Sequence, residues 1–234
     1  MEVISNAVDR LSNSLRLFGE EQFNFSRLMK LDQEEAINNL DRSFETILES
    51  FHSLYDVFHN KYDFDYFKHA DTALLIMLRN AIHHRNHLLF KSWNKEMYLN
   101  AGFERMHGAE FLFVSYETCE ESVFEPKYHY KIIDIYERLK SPQMLRYAEQ
   151  HKQLFEEELL FSKIMERAKK DRYPDKQIYL NIMPILISAM GKIFTSLKDN
   201  HITVKGYDSD VYFEHFTSQQ IVCLNKPTLS TLRV

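Results

Sequence analysis

Residues 32–61 place the strongest constraint on how this chain can fold. Apolar side chains recur there at intervals of three and four, which puts them on one stripe of a helix. They are Ile37, Leu40, Phe44, Ile47, Leu48, Phe51, Leu54, Tyr55 and Phe58. A stripe of this length needs other elements to bury it. We therefore expect a mostly α protein.

A second helix is predicted over residues 66–93, where no glycine or proline interrupts the pattern. Residues 73–78 are apolar on every side, so we expect other helices or a second subunit to cover both faces. Beyond them a polar stripe begins on the face opposite the core. Its members are Asn80, His83, His84 and His87.

The rest of the chain continues the helical pattern, with two exceptions. Further helices are predicted over residues 128–140, 144–170 and 173–198. Pro184 is expected to kink the last of these. Residues 110–116 predict a short strand or a buried loop, and residues 201–234 predict an extended or β-like segment. The expected fold is an elongated up-and-down helical bundle over residues 1–200, with a short irregular or β insert near 101–126 and an extended C-terminal segment.

Composition excludes several common classes of protein. Only five glycines are present, and neither Gly102 nor Gly108 is followed by Lys-Ser or Lys-Thr, so there is no P-loop or dinucleotide fingerprint. The net charge of −5 means that any nucleic-acid contact needs a local basic site. Cys119 and Cys223 have no metal or redox spacing. Because the N-terminus lacks a secretion signal and residues 178–194 are too polar to cross a bilayer, we expect a cytoplasmic protein without a membrane segment.

Arg79, Asn80 and His84 carry the most informative chemistry in the sequence. Cleavage of RNA through its own 2′-hydroxyl needs one group to accept a proton and another to donate one, and a histidine with a pKa near 6.5 can do either. The planar, permanently charged guanidinium of arginine suits a phosphate that gains charge in the transition state. Asn80 lies one turn before His84, where it can orient the imidazole or hold a phosphate oxygen. His83 and His87 are candidate auxiliary residues.

The order Arg79-Asn80, three residues, then His84, in an all-helical setting, resembles the signature of the HEPN superfamily of helical ribonucleases. The resemblance implies a homodimer whose facing motif helices form a composite active site. It further implies metal-independent cleavage of single-stranded RNA without a cofactor, leaving a 2′,3′-cyclic phosphate and a 5′-hydroxyl. A toxin or antiviral-defence role, with an inhibitory or sensor protein as partner, is also implied. Residues 101–126 and 200–234 lie outside the expected helical core, and we expect them to carry a regulatory surface.

Two other functions fit the same residues. In a non-catalytic interaction module, an antitoxin or adaptor, the motif would only hold a helical dimer together. In a metal-dependent hydrolase, His83 and His87 would bind one ion from the same helix face, although no glutamate completes an HExxH motif and we predict no metal. The spacing of Arg79 and His84 also recurs at Arg146 and His151, which we interpret as helix-surface or packing residues.

A basic run lies near residue 170 and provides candidate RNA contacts, although such a run is more often a solvated helix end. The candidate residues are Lys163, Arg167, Lys169 and Lys170. His52 and His59 share a face with core positions of the first predicted helix. We interpret both as partly buried histidines.

Overall fold

The structure is a computed structural model that describes residues 2–59, 61–83, 90–118, 126–218 and 222–234. It is mostly helical with a small mixed sheet, which confirms the mostly α expectation. The helices are α1 (Glu2–Leu28), α2 (Gln33–Phe58), α3 (Ala70–His83), α4 (Gly102–Arg105), α5 (Ile132–Leu139), α6 (Ala148–Glu158), α7 (Phe161–Lys170), α8 (Met183–Asp199) and α9 (Tyr207–Ser218). The strands are β1 (Glu110–Thr118), β2 (His129–Lys131), β3 (Ile178–Asn181) and β4 (Val222–Arg233). None of the described helices combines the length and apolar character that a membrane crossing requires.

Helix α2 matches its predicted extent closely. Asp32 caps its N-terminus, because the Asp32 side chain accepts a hydrogen bond from the backbone N–H of Glu35 at 2.9 Å. The apolar stripe faces inward, with Phe44 and Phe51 fully buried. Helix α1 packs along α2, and the two form one long side of the core.

Helix α3 is shorter than predicted at its N-terminal end. Residues Tyr66–Lys68 form a separate short 3-10 turn, closed by a hydrogen bond from Phe67 N–H to the Asp65 side chain, and His69 is extended. Residues 90–92 are not helical either, so the predicted helix over 66–93 is wrong at both ends. Residues 70–78 are buried on all sides by α2, α6 and α8. The covering of α3 is therefore supplied by helices of the same chain.

The four-stranded sheet was predicted only in part. Its order is β2-β3-β1-β4, with β1 parallel to β3 and the other two pairings antiparallel. Residues 110–116, which the sequence left open between a short strand and a buried loop, belong to strand β1. Strands β2 and β3 replace predicted helix, because β3 is buried on both faces and its short apolar run has no period to distinguish it from a buried helix.

One predicted helix is interrupted, and one predicted kink is absent. The predicted helix over 144–170 divides into α6 and α7 at Leu160, which has a left-handed backbone with φ of 56°. Pro184 does not kink a helix. It lies in the first turn of α8, where its missing N–H leaves no intrahelical hydrogen bond unmade.

The C-terminal segment is not extended throughout. Strand β4 agrees with the expectation, but Tyr207–Ser218 forms helix α9, so the extended prediction is wrong for these residues. Arg16 Nε of α1 donates to the Asp208 carboxylate at 2.8 Å, and the rings of Phe194 and Phe216 pack 5.4 Å apart. Docking against α1 and α8 thus stabilises a helix whose own sequence favours strand.

The sheet separates two apolar regions. Leu112, Val114 and Tyr116 of β1 point into the main helical core. On the opposite face Phe111 and Tyr179 form a smaller cluster with Trp93. The smaller cluster covers only part of that face, and the uncovered part forms a cleft described below.

Candidate active site

The last turn of α3 carries Arg79, Asn80 and His83 out of the core. Arg79 and Asn80 are half-buried, and His83 is exposed. Arg79 Nη1 donates to the Asn80 side-chain oxygen at 3.2 Å. Arg79 Nε is buried and has no hydrogen-bond partner among the described residues.

Helix α2 presents a stripe of titratable side chains to this turn. They are Glu45, Glu49, His52 and Asp56, spaced so that they share one helix face. A cavity of about 140 Å³ lies between the two helices, lined by Glu45 and Glu49 on one side and by Arg79 and His83 on the other. The cavity therefore brings together the predicted arginine, one predicted auxiliary histidine and two carboxylates.

His52 is a candidate that the sequence interpretation treated only as a partly buried residue. Its Nδ1 lies 3.2 Å from Asp56 Oδ2. Burial, followed by the positive charges of Arg79 and His83, lowers the pKa of His52, although Asp56 opposes the shift. A neutral His52 that donates Nδ1–H to Asp56 leaves Nε2 free to accept a proton. The sequence could have indicated this pair, because His52 and Asp56 are four residues apart on one helix and so lie on the same face.

The carboxylates of the cavity affect its charge. Burial is the largest cause of a raised pKa at Glu45, and the nearby charges of Asp41 and Glu49 add to it while Lys95 opposes it. Arg79 forms no ion pair with either glutamate among the described residues. The Arg79 guanidinium can therefore still bind an anionic ligand. Because the two glutamates lie beside it, its surroundings are less positive than those of a phosphate site built from several cations.

Two of the predicted site residues cannot be placed. His84 and His87 lie outside the described residues, so their positions relative to Arg79 are not given by the structure. His84 follows directly on His83, the last described residue of α3. In the described ranges, no three histidine, cysteine or acidic side chains cluster as a metal site.

The predicted basic run lies on the exposed face of α7 and does not line the cavity beside Arg79. Arg167 pairs there with Asp171 at 2.6 Å, as a solvated helix end does. In the second copy of the motif spacing, Arg146 is an exposed surface residue and His151 is a packing residue. Arg146 lies over the Tyr147 ring at 5.5 Å, and His151 is buried with Nδ1 2.7 Å from the Tyr147 carbonyl.

A larger cleft of about 820 Å³ lies on the open face of the sheet. Strand register brings four polar residues, one from each strand, into a single row across its floor. In order across the sheet they are His129, Asn181, Ser115 and Thr228. Asn181 is 4% exposed, and its Nδ2 donates to Ser115 Oγ at 3.4 Å. The sequence interpretation did not find this row, because its members are far apart in the chain.

His129 should make the stability of the protein depend on pH. Burial, with a smaller effect of the Lys127 charge, lowers its pKa to about 4, against about 6.5 in an unfolded chain. As the pH falls, His129 is therefore protonated in the unfolded chain at a higher pH than in the folded protein. The protein loses stability as the pH falls from about 6.5 towards 4. The loss attributable to His129 reaches about 3 kcal/mol.

Urea unfolding at pH 7.0 and pH 4.5 measures this effect. We expect His129→Gln to flatten the pH dependence relative to the wild type, and His107→Gln, which replaces an exposed histidine, to leave it unchanged. Equal pH dependence in the wild type and His129→Gln would show that His129 stays accessible to protons in the folded state.

A scan of protein-family models found no match to the chain, and searches of curated proteins and of solved structures found none either. The geometry of the two sites is therefore the basis for the functional assignment.

Proposed function

We propose that the chain is a metal-independent endoribonuclease that cleaves single-stranded RNA, resembling the HEPN ribonucleases in fold and mechanism. The observation that carries the proposal is the Arg79 guanidinium. Its Nη1 donates to the Asn80 side-chain oxygen, and its side chain lines the cavity between α2 and α3. It lies beside an Asp56–His52 pair, on the turn that leads into His84. An arginine held in this way suits the phosphate oxygens of a bound RNA.

The proposed reaction uses the RNA's own 2′-hydroxyl as the nucleophile. A neutral imidazole, from His84 or from His52, accepts the 2′-hydroxyl proton while the 2′-oxygen attacks the adjacent phosphorus. Arg79 stabilises the negative charge that builds up on the phosphate oxygens. A protonated imidazole gives its proton to the departing 5′-oxygen. The bond from phosphorus to that oxygen breaks, and the products are a 2′,3′-cyclic phosphate and a 5′-hydroxyl.

A homodimer with a composite site belongs to the same proposal. Helices of the same chain bury residues 70–78, so the middle of α3 has no free face for a partner. The last turn of α3, with His83 exposed, is the part of the helix that a second subunit can reach. Two sets of motif residues meeting there would supply the acid and the base together.

The proposal extends to regulation. The two segments expected to be regulatory pair with each other, since β1 and β4 are neighbours in the sheet. This pairing supports one surface, built from both segments, for an inhibitory or sensor partner. A toxin or antiviral-defence role is the setting that the resemblance suggests for such a restrained nuclease.

One observation favours a second candidate, a non-catalytic interaction module. Glu45 and Glu49 line the same cavity as Arg79, and such a mixture of charges is also typical of polar contacts between packed helices. In that case Arg79 would contribute to stability or dimerisation, and the protein would not cut RNA.

Incubating the protein with a mixed single-stranded RNA pool in excess EDTA tests the proposal. We expect fragments with cyclic-phosphate ends from the wild type and none from His84→Ala. His52→Gln shows whether the second imidazole takes part, and the wild-type and variant melting temperatures show whether each variant folds. No cleavage by the wild type, or equal cleavage by wild type and His84→Ala, would contradict the ribonuclease. RNA cleavage that occurs without EDTA and stops when EDTA is added would favour a metal-dependent hydrolase.

A further inference from the structure

The cleft on the open face of the sheet has the volume of a small-molecule site. Pockets of about 300–1,000 Å³ hold most ligands and cofactors, and this cleft measures about 820 Å³. Its floor includes Ser115 near the C-terminal end of β1 and Asn181 at the C-terminal end of β3. These two strands are parallel, and ligands of α/β sheets commonly bind beyond the carboxyl ends of parallel strands.

One side of the cleft is aromatic. Phe113 comes two residues before Ser115 on β1, so both side chains lie on the same face of the sheet. The Trp93 ring meets the Phe113 ring edge-on at a centroid distance of 4.8 Å. Both side chains line the cleft. An aromatic border beside a polar floor suits a flat ligand that has an apolar face and a polar edge.

The floor itself is polar but uncharged. Asn181 Oδ1 accepts from the backbone N–H groups of Tyr128 and Met183, at 3.0 and 3.2 Å, so the amide is fixed with its Nδ2 towards Ser115. His129, beside Asn181, is neutral at pH 7 because burial lowers its pKa to about 4. The row thus offers hydrogen-bond donors and acceptors about 4.8 Å apart, the spacing of neighbouring strands.

The other side of the cleft carries an exposed lysine. Lys127 is exposed and lies next to the start of α8, because the N–H of Ile182 donates to the Tyr128 carbonyl at 2.8 Å. Pro184 in the first turn of α8 also lines the cleft, while the N–H groups of Ile182 and Met183 at the start of this helix donate to the Tyr128 carbonyl and to Asn181 Oδ1. Among the described residues that line the cleft, the acidic one is Glu117, and Lys226 Nζ forms an ion pair with its carboxylate at 3.0 Å.

We propose that this cleft binds a mononucleotide, with the base towards Trp93 and Phe113 and the phosphate at Lys127. The polar row then contacts the sugar and the edge of the base. The inference does not depend on the ribonuclease proposal, since none of the residues beside Arg79 lines the cleft. It assigns a ligand to the surface where β1 and β4 meet, the first and last strands in the order of the chain.

Calorimetric titration of the full chain with AMP, GMP, CMP and UMP tests the proposal. We expect at least one of them to bind below 1 mM, and the matching nucleoside and inorganic phosphate each to bind at least tenfold more weakly. No binding of any nucleotide at 1 mM, or phosphate alone binding as tightly as the nucleotide, would overturn the proposal. A trinucleotide binding more tightly than the mononucleotide would assign the cleft to an RNA strand instead.

Two substitutions test whether the nucleotide binds in the cleft. Lys127→Met should weaken nucleotide binding about tenfold, because a charge-assisted contact to the phosphate is lost. Ser115→Val should weaken it about threefold to tenfold through the loss of one hydrogen bond. Lys140→Met removes an exposed lysine that does not line the cleft and should leave the affinity unchanged. If all three variants bind like the wild type, the nucleotide binds elsewhere and the proposal fails.

The ribonuclease variants keep the two proposals separate. His84→Ala should bind the mononucleotide with the wild-type affinity, whether or not the wild type cleaves RNA. Loss of nucleotide binding in His84→Ala would move the ligand to the α2–α3 site and would contradict the cleft assignment.

Discussion

Replacing Arg79 with lysine should lower the rate of RNA cleavage by about 10²–10³-fold without unfolding the protein. Lysine keeps the charge but not the planar fork, so it cannot bind a phosphate through two nitrogens or keep the bond to Asn80 in the same geometry. The loss should fall on kcat, because the interaction strengthens as charge develops in the transition state. Single-turnover cleavage of one defined RNA measures it.

A matched control is available in the second copy of the motif spacing. Arg146→Lys replaces an arginine that lies over the Tyr147 ring, and we expect its cleavage rate to stay within about twofold of the wild type. The melting temperature distinguishes the two candidate functions. A stable but inactive Arg79→Lys supports catalysis, whereas a lower melting temperature of the variant, together with no RNA cleavage by the wild type, would indicate an interaction module.

Removing the lysine that faces the buried Asp71 should be among the most destabilising single changes in this chain. Asp71 is fully buried at the start of α3, and Lys192 Nζ of α8 lies 2.8 Å from its carboxylate. Ser188 Oγ donates to the same oxygen at 2.7 Å, and the N–H of Thr72 donates to the other at 2.8 Å. Lys192→Met leaves the buried carboxylate without its counter-charge, which should cost about 3–5 kcal/mol.

Denaturant unfolding with a double-mutant cycle measures this interaction. Combining Lys192→Met with Asp71→Leu should restore part of the stability lost in the single variant, since the unpaired charge is then absent. Lys140→Ala breaks the exposed Lys140–Glu137 pair and should cost less than about 1 kcal/mol. A cost for Lys192→Met as small as that of Lys140→Ala would show that water solvates Asp71 in the folded protein.

The Asp71 network also bears on the site. It anchors the first turn of α3 to α8, while the last turn of the same helix carries Arg79. Glu158 of α6 adds to the anchor by accepting from the N–H of Ala70 at 3.0 Å. The position of Arg79 therefore depends on polar contacts at the far end of a helix whose middle is held only by apolar packing.

Local sequence pattern was sufficient for α2 and for the buried middle of α3, but it left β1 open between a short strand and a buried loop. In the two helices the apolar period is long or regular enough to identify the element, and a cap such as Asp32 marks where α2 begins. The same pattern predicted that Arg79 and Asn80 share the polar end of one helix. It could not show the bond between them, nor the position of His52, because both depend on how α2 and α3 lie together.

The sequence by itself determined a mostly α chain with an arginine and histidines at the end of one helix, because helical periodicity and side-chain chemistry are local properties. Only the tertiary structure decided that β3 is a strand, that residues 207–218 form a helix, and that four polar residues make one row across the sheet. These features depend on contacts between residues far apart in the chain. A buried strand has no period of its own, α9 is stabilised by docking on α1 and α8, and the row exists only in the register of four paired strands.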